Sequence, residues 1–274
     1  MASTAFELTI KPRPGWQPVD FRELWLYREL LGFLVWRDVK VRYKQTALGG
    51  LWAILQPLIG MIVFGAIFTK VAPIHTDGPY PLFVFAGLVP WTFFANSVAL
   101  SSNSLVGSEH MIRKTYFPRV FVPFAVIVAL GLDMLISFAF MGILLAYYHW
   151  QVTATLLWLP FFVFTCVLGC GGLGLILSAL NVRYRDVKYV VPFFTQMAFF
   201  ITPVIYPLQY VPEKYKILLG LNPMTGIVEG FRHALLGSPV SWACVWTSTA
   251  ASVLLFVAGL FFFRRMERTF ADVI

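Results

Sequence analysis

The sequence predicts an all-α integral membrane protein. It has six transmembrane helices, an N-terminal interfacial amphipathic helix, and short extracytoplasmic re-entrant or cap helices between the fifth and sixth spans. Three observations carry this. Asp, Glu, Lys and Arg are absent from Gln45–Thr69, Gly78–Ser108, Met134–Val182, Tyr189–Pro212 and Ala234–Phe263. Hydrophobic residues are 59% and charged residues 12%, against about 45–50% and about 25% in soluble domains. The basic residues fall almost entirely in alternate connections.

About 20 apolar residues cross a bilayer as a helix, so each of the four shorter charge-free runs holds one span. The run from Met134 to Val182 is too long for one. Joined to the apolar Val120–Leu132 before it, that stretch makes two spans turning at Tyr148–Gln151. The spans fall near 47–69, 81–103, 120–147, 154–180, 189–207 and 241–263. Residues 1–46 form an N-terminal segment, 47–263 the transmembrane domain and 264–274 a tail. Residues 1–20 are polar and proline-broken and hold no secretory h-region. Three cysteines, Cys166, Cys170 and Cys244, sit in or beside apolar spans, and their number and spacing imply neither a disulfide scaffold nor a metal knuckle.

Orientation follows from Lys and Arg in the connections. Eight precede the first span. Arg113, Lys114 and Arg119 lie between the second and third, Arg183, Arg185 and Lys188 between the fourth and fifth, and Arg264, Arg265 and Arg268 after the sixth. The intervening connections hold only Lys70, Lys214, Lys216 and Arg232. This division, 17 against 4, places both termini in the cytoplasm. Topology and anionic lipid account for the net charge of +8, and no nucleic-acid partner is implied.

Before the first span, Asp20 and Glu23 form a capping-box start. Arg22, Glu29, Arg37, Lys40 and Lys44 share one side of the helix that follows, with Arg28 among its basic residues, while Leu24, Tyr27, Leu31, Leu34 and Val35 share another. Leu26 and Phe33 interrupt the charged side. An interfacial helix results. It serves either as a topology anchor or to receive an amphiphilic substrate at the headgroup level. Between the last two spans, Glu213 after Pro212 and Gly220 bracket one short helix. Asn222–Pro223 opens a second, which Gly237 closes. Both are too apolar to float free, which implies a gate or plain packing against the spans.

Chemistry motifs are nearly absent. No Gly-Lys dipeptide occurs, so no GxxxxGK[ST] phosphate loop exists. Gly169–Gly174 matches GxGxxG but sits mid-span without a preceding strand. Cys166, Cys170, Gly174 and Ser178 instead make a small-residue ridge for close helix packing. His75, His110, His149 and His233 are scattered, with no HExxH. A membrane-embedded transferase or hydrolase needs a nucleophile or a carboxylate pair, and only single acids are present.

Asp133 falls near the bilayer midplane, where an ionisable side chain is a functional candidate. A proton relay needs titratable partners at similar depth, and none is evident. A structural hydrogen bond to Ser, Thr or Asn on another helix fits better. Aromatics are 17% of the chain. Trp91, Phe94, Phe193, Met197 and Phe200 mark a candidate lane of apolar surfaces that would pass the C–H faces of a glycan without gripping one hydroxyl pattern. Interfacial belt or core is the other reading of each.

From about residue 37 to 232, a series of segments resembles the ABC-2 type exporter permeases, particularly those for cell-surface polysaccharides. It begins with Arg37–Thr46, Leu48-Gly49 and Leu55–Leu58, followed by Gly87–Trp91, Asn103–Val106 and Tyr116–Arg119. Val182–Val187, Thr202–Pro207, Leu221–Met224 and Glu229–Arg232 complete it in order.

The resemblance implies a half-transporter in the bacterial inner membrane. Two copies of the permease form a channel, a separate ATPase subunit holds ATP and Mg, and this chain carries no cofactor and is not itself an enzyme. The cargo is a lipid-linked polysaccharide, and the branches export O-antigen, capsule or teichoic acid. The long N-terminal segment favours O-antigen. By the same resemblance Glu109, His110, Met111, Ile112, Arg113 and Lys114 form the helix that docks on the ATPase, with Met111 and Ile112 as its apolar plug. Arg183, Arg185 and Asp186 lie in a second contact. An ion-coupled lipid or glycolipid flippase is the rival, for which intramembrane charges and internal repeats are expected.

Overall fold

The computed structural model describes residues 21–44, 49–71, 73, 76 and 78–270, and within them every regular element is a helix. Long charge-free runs in lipid must satisfy their backbone groups within their own helix. In chain order the helices are α1 (Phe21–Leu26), α2 (Arg28–Lys44), α3 (Leu51–Ala66), α4 (Tyr80–Gly107), α5 (Glu109–Lys114) and α6 (Phe121–Tyr147). They continue with α7 (Leu159–Arg183), α8 (Val187–Ile201), α9 (Glu213–Gly220), α10 (Pro223–Leu236) and α11 (Trp242–Met266). A π turn at Ile67–Val71 extends α3, and a 3₁₀ turn at Ala154–Trp158 leads into α7. The expected Asp20 cap and the start of the first span at 47 lie outside the described residues.

Five helices are long and apolar enough to cross a membrane: Leu51–Thr69, Tyr80–Gly107, Phe121–Tyr147, Ala154–Arg183 and Trp242–Thr269. They coincide with the expected first, second, third, fourth and sixth spans. The turn at Tyr148–Gln151 is also present, with His149 at φ 51° in the left-handed region.

The expected fifth span is different. Its helix, α8, has 15 residues, or about 22 Å at 1.5 Å per residue, short of a hydrocarbon core of about 30 Å. Pro203 ends it. Thr202 precedes a proline and takes extended angles, φ −77° and ψ 136°. The chain then runs non-helically to a 3₁₀ turn at Leu208–Tyr210.

The bundle is built around α4, 78% of whose most apolar window is buried, against 11% for α3. α7 packs between α4 and α11 and buries the ridge of Cys166, Cys170, Gly174 and Ser178. Its contact with α11 is backbone on backbone. A Cβ on Gly259 would sit 2.4 Å from the Gly172 carbonyl oxygen, and one on Gly172 would sit 2.6 Å from the Leu255 backbone. Small residues allow this approach, and dispersion at that range replaces the hydrophobic drive that lipid cannot supply.

Two apolar clusters divide the interior. The larger joins α4, α7 and α10. The smaller lies at the basic end, where Leu34 of α2, Leu105 of α4, Ile112 of α5, Phe121 of α6 and Phe263 of α11 meet. Leu24, Tyr27, Leu31 and Val35 pack against this second cluster. The apolar stripe assigned to the membrane surface is therefore engaged by the protein itself. What α1 and α2 leave exposed mixes Trp25, Phe33 and Trp36 with Arg22, Arg28, Glu29 and Lys40, while Arg37 is half-buried. Just past α11, Phe270 is buried edge-on against Phe263.

Candidate functional site at the two ends of the bundle

At the basic end, α5 is a single turn and a half between α4 and the loop before α6. Glu109 and Arg113 pair across it at 2.9 Å. Ile112 points inward and is buried in the cluster with Leu34. Met111 is half-buried, its sulfur 4.0 Å from the Arg37 guanidinium, which also pairs with Asp38. The exposed residues are His110, Arg113 and Lys114. Of the two residues expected to form the apolar plug, Ile112 is thus an inward anchor, packed in one cluster with Leu34 of α2 and Leu105 of α4. Arg183, Arg185 and Asp186 form a second short, fully exposed connection between α7 and α8.

The loop from α5 to α6 is tied to α1 and to the end of α11. Tyr116 donates to Glu23 Oε1 at 3.1 Å, and burial together with that carboxylate raises the phenol above its ordinary range. Arg119 donates from its backbone N–H to Glu267 Oε1 at 3.2 Å and from its guanidinium to the Glu267 carbonyl. Arg264 bonds Glu267 Oε2 at 3.2 Å and reaches Glu23 at 3.9 Å. One small charged knot therefore joins α1, the α5–α6 loop and the end of α11. It lay outside the sequence reading, which treated Glu23 as part of a cap and Arg119 and Arg264 as topology signals.

Asp133 of α6 does not bond to Ser, Thr or Asn on another span. It accepts from the Tyr43 hydroxyl and pairs with Arg42 at 2.6 Å, both at the end of α2. The partners differ from the expected Ser, Thr or Asn because α2 packs along α6 and brings its basic end to Asp133.

At the opposite end lies a clasp. Arg232 of α10 is buried. It pairs with Glu229 one turn back at 3.0 Å and lies over the Phe83 ring of α4, 3.6 Å from its centre. It also donates to the carbonyls of Pro203, Val204 and Phe83. Tyr80 takes the next carbonyl, Ile205, at 2.8 Å. Asn222 caps α10 through the Met224 N–H and gives its amide to the Thr202 hydroxyl at 2.8 Å. The donors from Arg232 and Tyr80 thus satisfy the carbonyls of Pro203, Val204 and Ile205, which lie past the end of α8 and have no helical partner. Gly87 makes room for it, since a Cβ there would lie 2.8 Å from the guanidinium and 2.9 Å from the Val204 oxygen. Gly237, at φ 69°, ends α10 as expected.

The five aromatic-lane residues separate. Trp91 and Phe94 are buried in the larger core and touch one another, with Trp91 also against Phe199. Phe193, Met197 and Phe200 are exposed along one side of α8. Among the histidines, His110, His149 and His233 lie on separate elements, and His75 is outside the described residues.

Comparison with known proteins gives a consistent family. The ABC-2 type transporter profile matches residues 29–236. The O-antigen export system permease protein RfbA of Myxococcus xanthus is 32% identical over 261 residues, covering 92% of this chain and 98% of that protein. That of Klebsiella pneumoniae is 28% identical over 247 residues, covering 90% and 95%. The polysialic acid transport protein KpsM of Escherichia coli is 28% identical over 215 residues, covering 75% and 80%. The matched region runs from α2 to the end of α10 and takes in both the charged α5 and the Arg232 clasp, and the chain belongs to the ABC-2 type transporter family.

Proposed function

We propose that this chain is the membrane-spanning permease subunit of an ATP-driven exporter that moves a lipid-linked cell-surface polysaccharide, with O-antigen as the favoured cargo, across the bacterial inner membrane. The observation that carries the reading is likeness over nearly the whole chain to permeases named for O-antigen export. The lack of a phosphate-binding loop in the sequence supports an energy source on another chain. Two copies of the permease form the channel, and a separate ATPase subunit holds ATP and Mg.

Both termini lie in the cytoplasm, as the basic bias favours, and α9 and α10 cap the outer side. The fifth crossing is completed by α8 and the extended Thr202–Pro207, whose free carbonyls Arg232 and Tyr80 satisfy. The ATPase docks on the exposed His110, Arg113 and Lys114 and on Arg183, Arg185 and Asp186. Its stroke reaches the spans because Ile112 is anchored in the core and the next loop is bound to Glu23 and Glu267. Asp133 is held by Arg42 and Tyr43, which supports a structural role and speaks against an ion-coupled flippase.

Deletion of the gene, followed by separation of cytoplasmic and surface glycan, tests this. Lipid-linked polymer accumulating inside, and an ATPase copurifying with the tagged chain, are expected. Undiminished surface glycan, or ATP hydrolysis by the chain free of any other subunit, sinks the reading.

A further inference from the structure

α4 is the most enclosed span, yet it is open along one line. From Trp91 onward the positions that are not buried share one side of the helix, and among them Thr92, Asn96 and Asn103 fall within about 40° of one another around the axis, with Ala95, Ala99 and Leu100 beside them. These three are polar and uncharged, and they run from the middle of the 28-residue helix toward its basic end. Gln56 of α3 is exposed beside it, and the Asn96 amide donates to Gln56 Oε1 at 3.3 Å. Among the described residues, Gln56 Nε2 and Asn96 Oδ1 have no other partner. Two turns further on, Asn103 is set in place from behind. Asn181, 2% exposed, donates from one amide nitrogen to Asn103 Oδ1 at 3.1 Å and to the Ser102 carbonyl at 3.0 Å.

Lipid is a poor neighbour for this line. An amide with unmet bonding capacity is unfavourable in hydrocarbon, and intramembrane polar groups face bundle interiors or water. The lipid-facing alternative is visible on α6, where Leu135 and Ile143 are exposed and wholly apolar. A row of uncharged donors and acceptors about 10 Å long, laid along the helix axis, matches a chain-shaped, hydroxylated solute better than it matches a flat contact.

We propose that Gln56, Asn96 and Asn103 line a water-filled path that a glycan chain follows, exchanging hydrogen bonds with its hydroxyls. The wall thus runs along α3 and α4 and includes neither Trp91 nor Phe94. This rests on the export reading for the identity of the solute, while the existence of the aqueous path does not.

The test is cysteine accessibility in membranes holding the whole transporter. Gln56→Cys, Asn96→Cys, Asn103→Cys and the lipid-facing control Ile143→Cys are treated with a small, charged methanethiosulfonate, which reacts only with hydrated thiolate. The parent chain, with its buried cysteines, serves as the blank. The three amide positions should label at least about tenfold faster than Ile143→Cys, and more slowly in cells that make the lipid-linked glycan than in cells that cannot. Labelling as slow as the control, or spontaneous disulfides between copies at Asn96→Cys, overturns the path. Fast labelling without protection by glycan overturns the glycan as its occupant. Surface glycan made by the parent chain is scored in the same cells, so failure of the export reading registers separately. Asn103→Leu should cut export several-fold with ATPase assembly intact, and Asn103→Gln should restore it. Normal export in Asn103→Leu also counts against the proposal.

Discussion

Arg42 and Asp133 meet at 2.6 Å although 91 positions separate them, and they fasten the end of α2 to the middle of α6. Removing one partner of such a pair strands the other charge. Asp133→Leu alone should lower stability by about 2 kcal/mol. That is less than the roughly 3–5 kcal/mol of a fully buried pair, because Arg42 is one-third exposed. The double variant Arg42→Met/Asp133→Leu should recover most of the loss. Thermal unfolding of the purified chain in detergent decides, and a double variant worse than either single one would refute an isolated pair.

Arg232 bears on the outer crossing. Arg232→Met leaves Glu229 buried without its partner and the Pro203 and Val204 carbonyls without donors. A loss of about 3–5 kcal/mol is expected. Gly87→Ala should mimic it in part without touching a charge, by pushing the guanidinium off α4. A cysteine at Ile205 should then become more reactive from outside in both variants. Unchanged reactivity would show that the non-helical Thr202–Pro207 holds itself.

The two halves of the aromatic lane should part in experiment. Trp91→Ala opens a hole in the core, and lipid outside is as apolar as the pocket, so the loss comes mainly from the cavity. About 2 kcal/mol and a reduced yield of assembled transporter are expected. Phe200→Ala, at an exposed site, should leave yield and melting temperature unchanged. Any export defect there would then report passage rather than folding. Equal instability in both variants would place Phe200 in an interface.

At the basic end, reversal of Arg113 and Lys114 to Glu should preserve insertion and melting temperature while export falls at least about tenfold. Like charges facing a docked partner cost several kcal/mol. Ile112→Asp should instead damage the fold, because Ile112 is 4% exposed. If the Arg113/Lys114 reversal exports normally, the ATPase contact lies on other residues.

Much of this architecture was legible in the chain. Gly78–Ser108 and Met134–Val182 gave helices ending within a few residues of their expected limits, since backbone in lipid has few alternatives to a helix. A charge-free run measures polarity, not continuity, and says nothing of the helix stop that Thr202-Pro203 sets inside the fifth. The Asn222 cap and the Gly237 stop were readable because each is a local backbone requirement. Facing was not readable. Trp91 and Phe200 look alike in sequence, and only the neighbours of α4 and α8 tell core from surface. Ile112 reads as an apolar plug among charges, and which way it faces is given only by its neighbour Leu34. Asp133 was visible as an anomaly, but its partners lay on a helix read as lying flat.

The glycine crossing sets α7 against α11 with no side chain between the two backbones to yield. With α4 packed along the other side of α7, the three form the stator of the molecule. α3 and α8 stand outside that frame, α3 burying only Pro57 and Gly65 and α8 only Val191 and Thr195. Rotation of these two helices about the frame is the motion we expect of a transport cycle driven from α5.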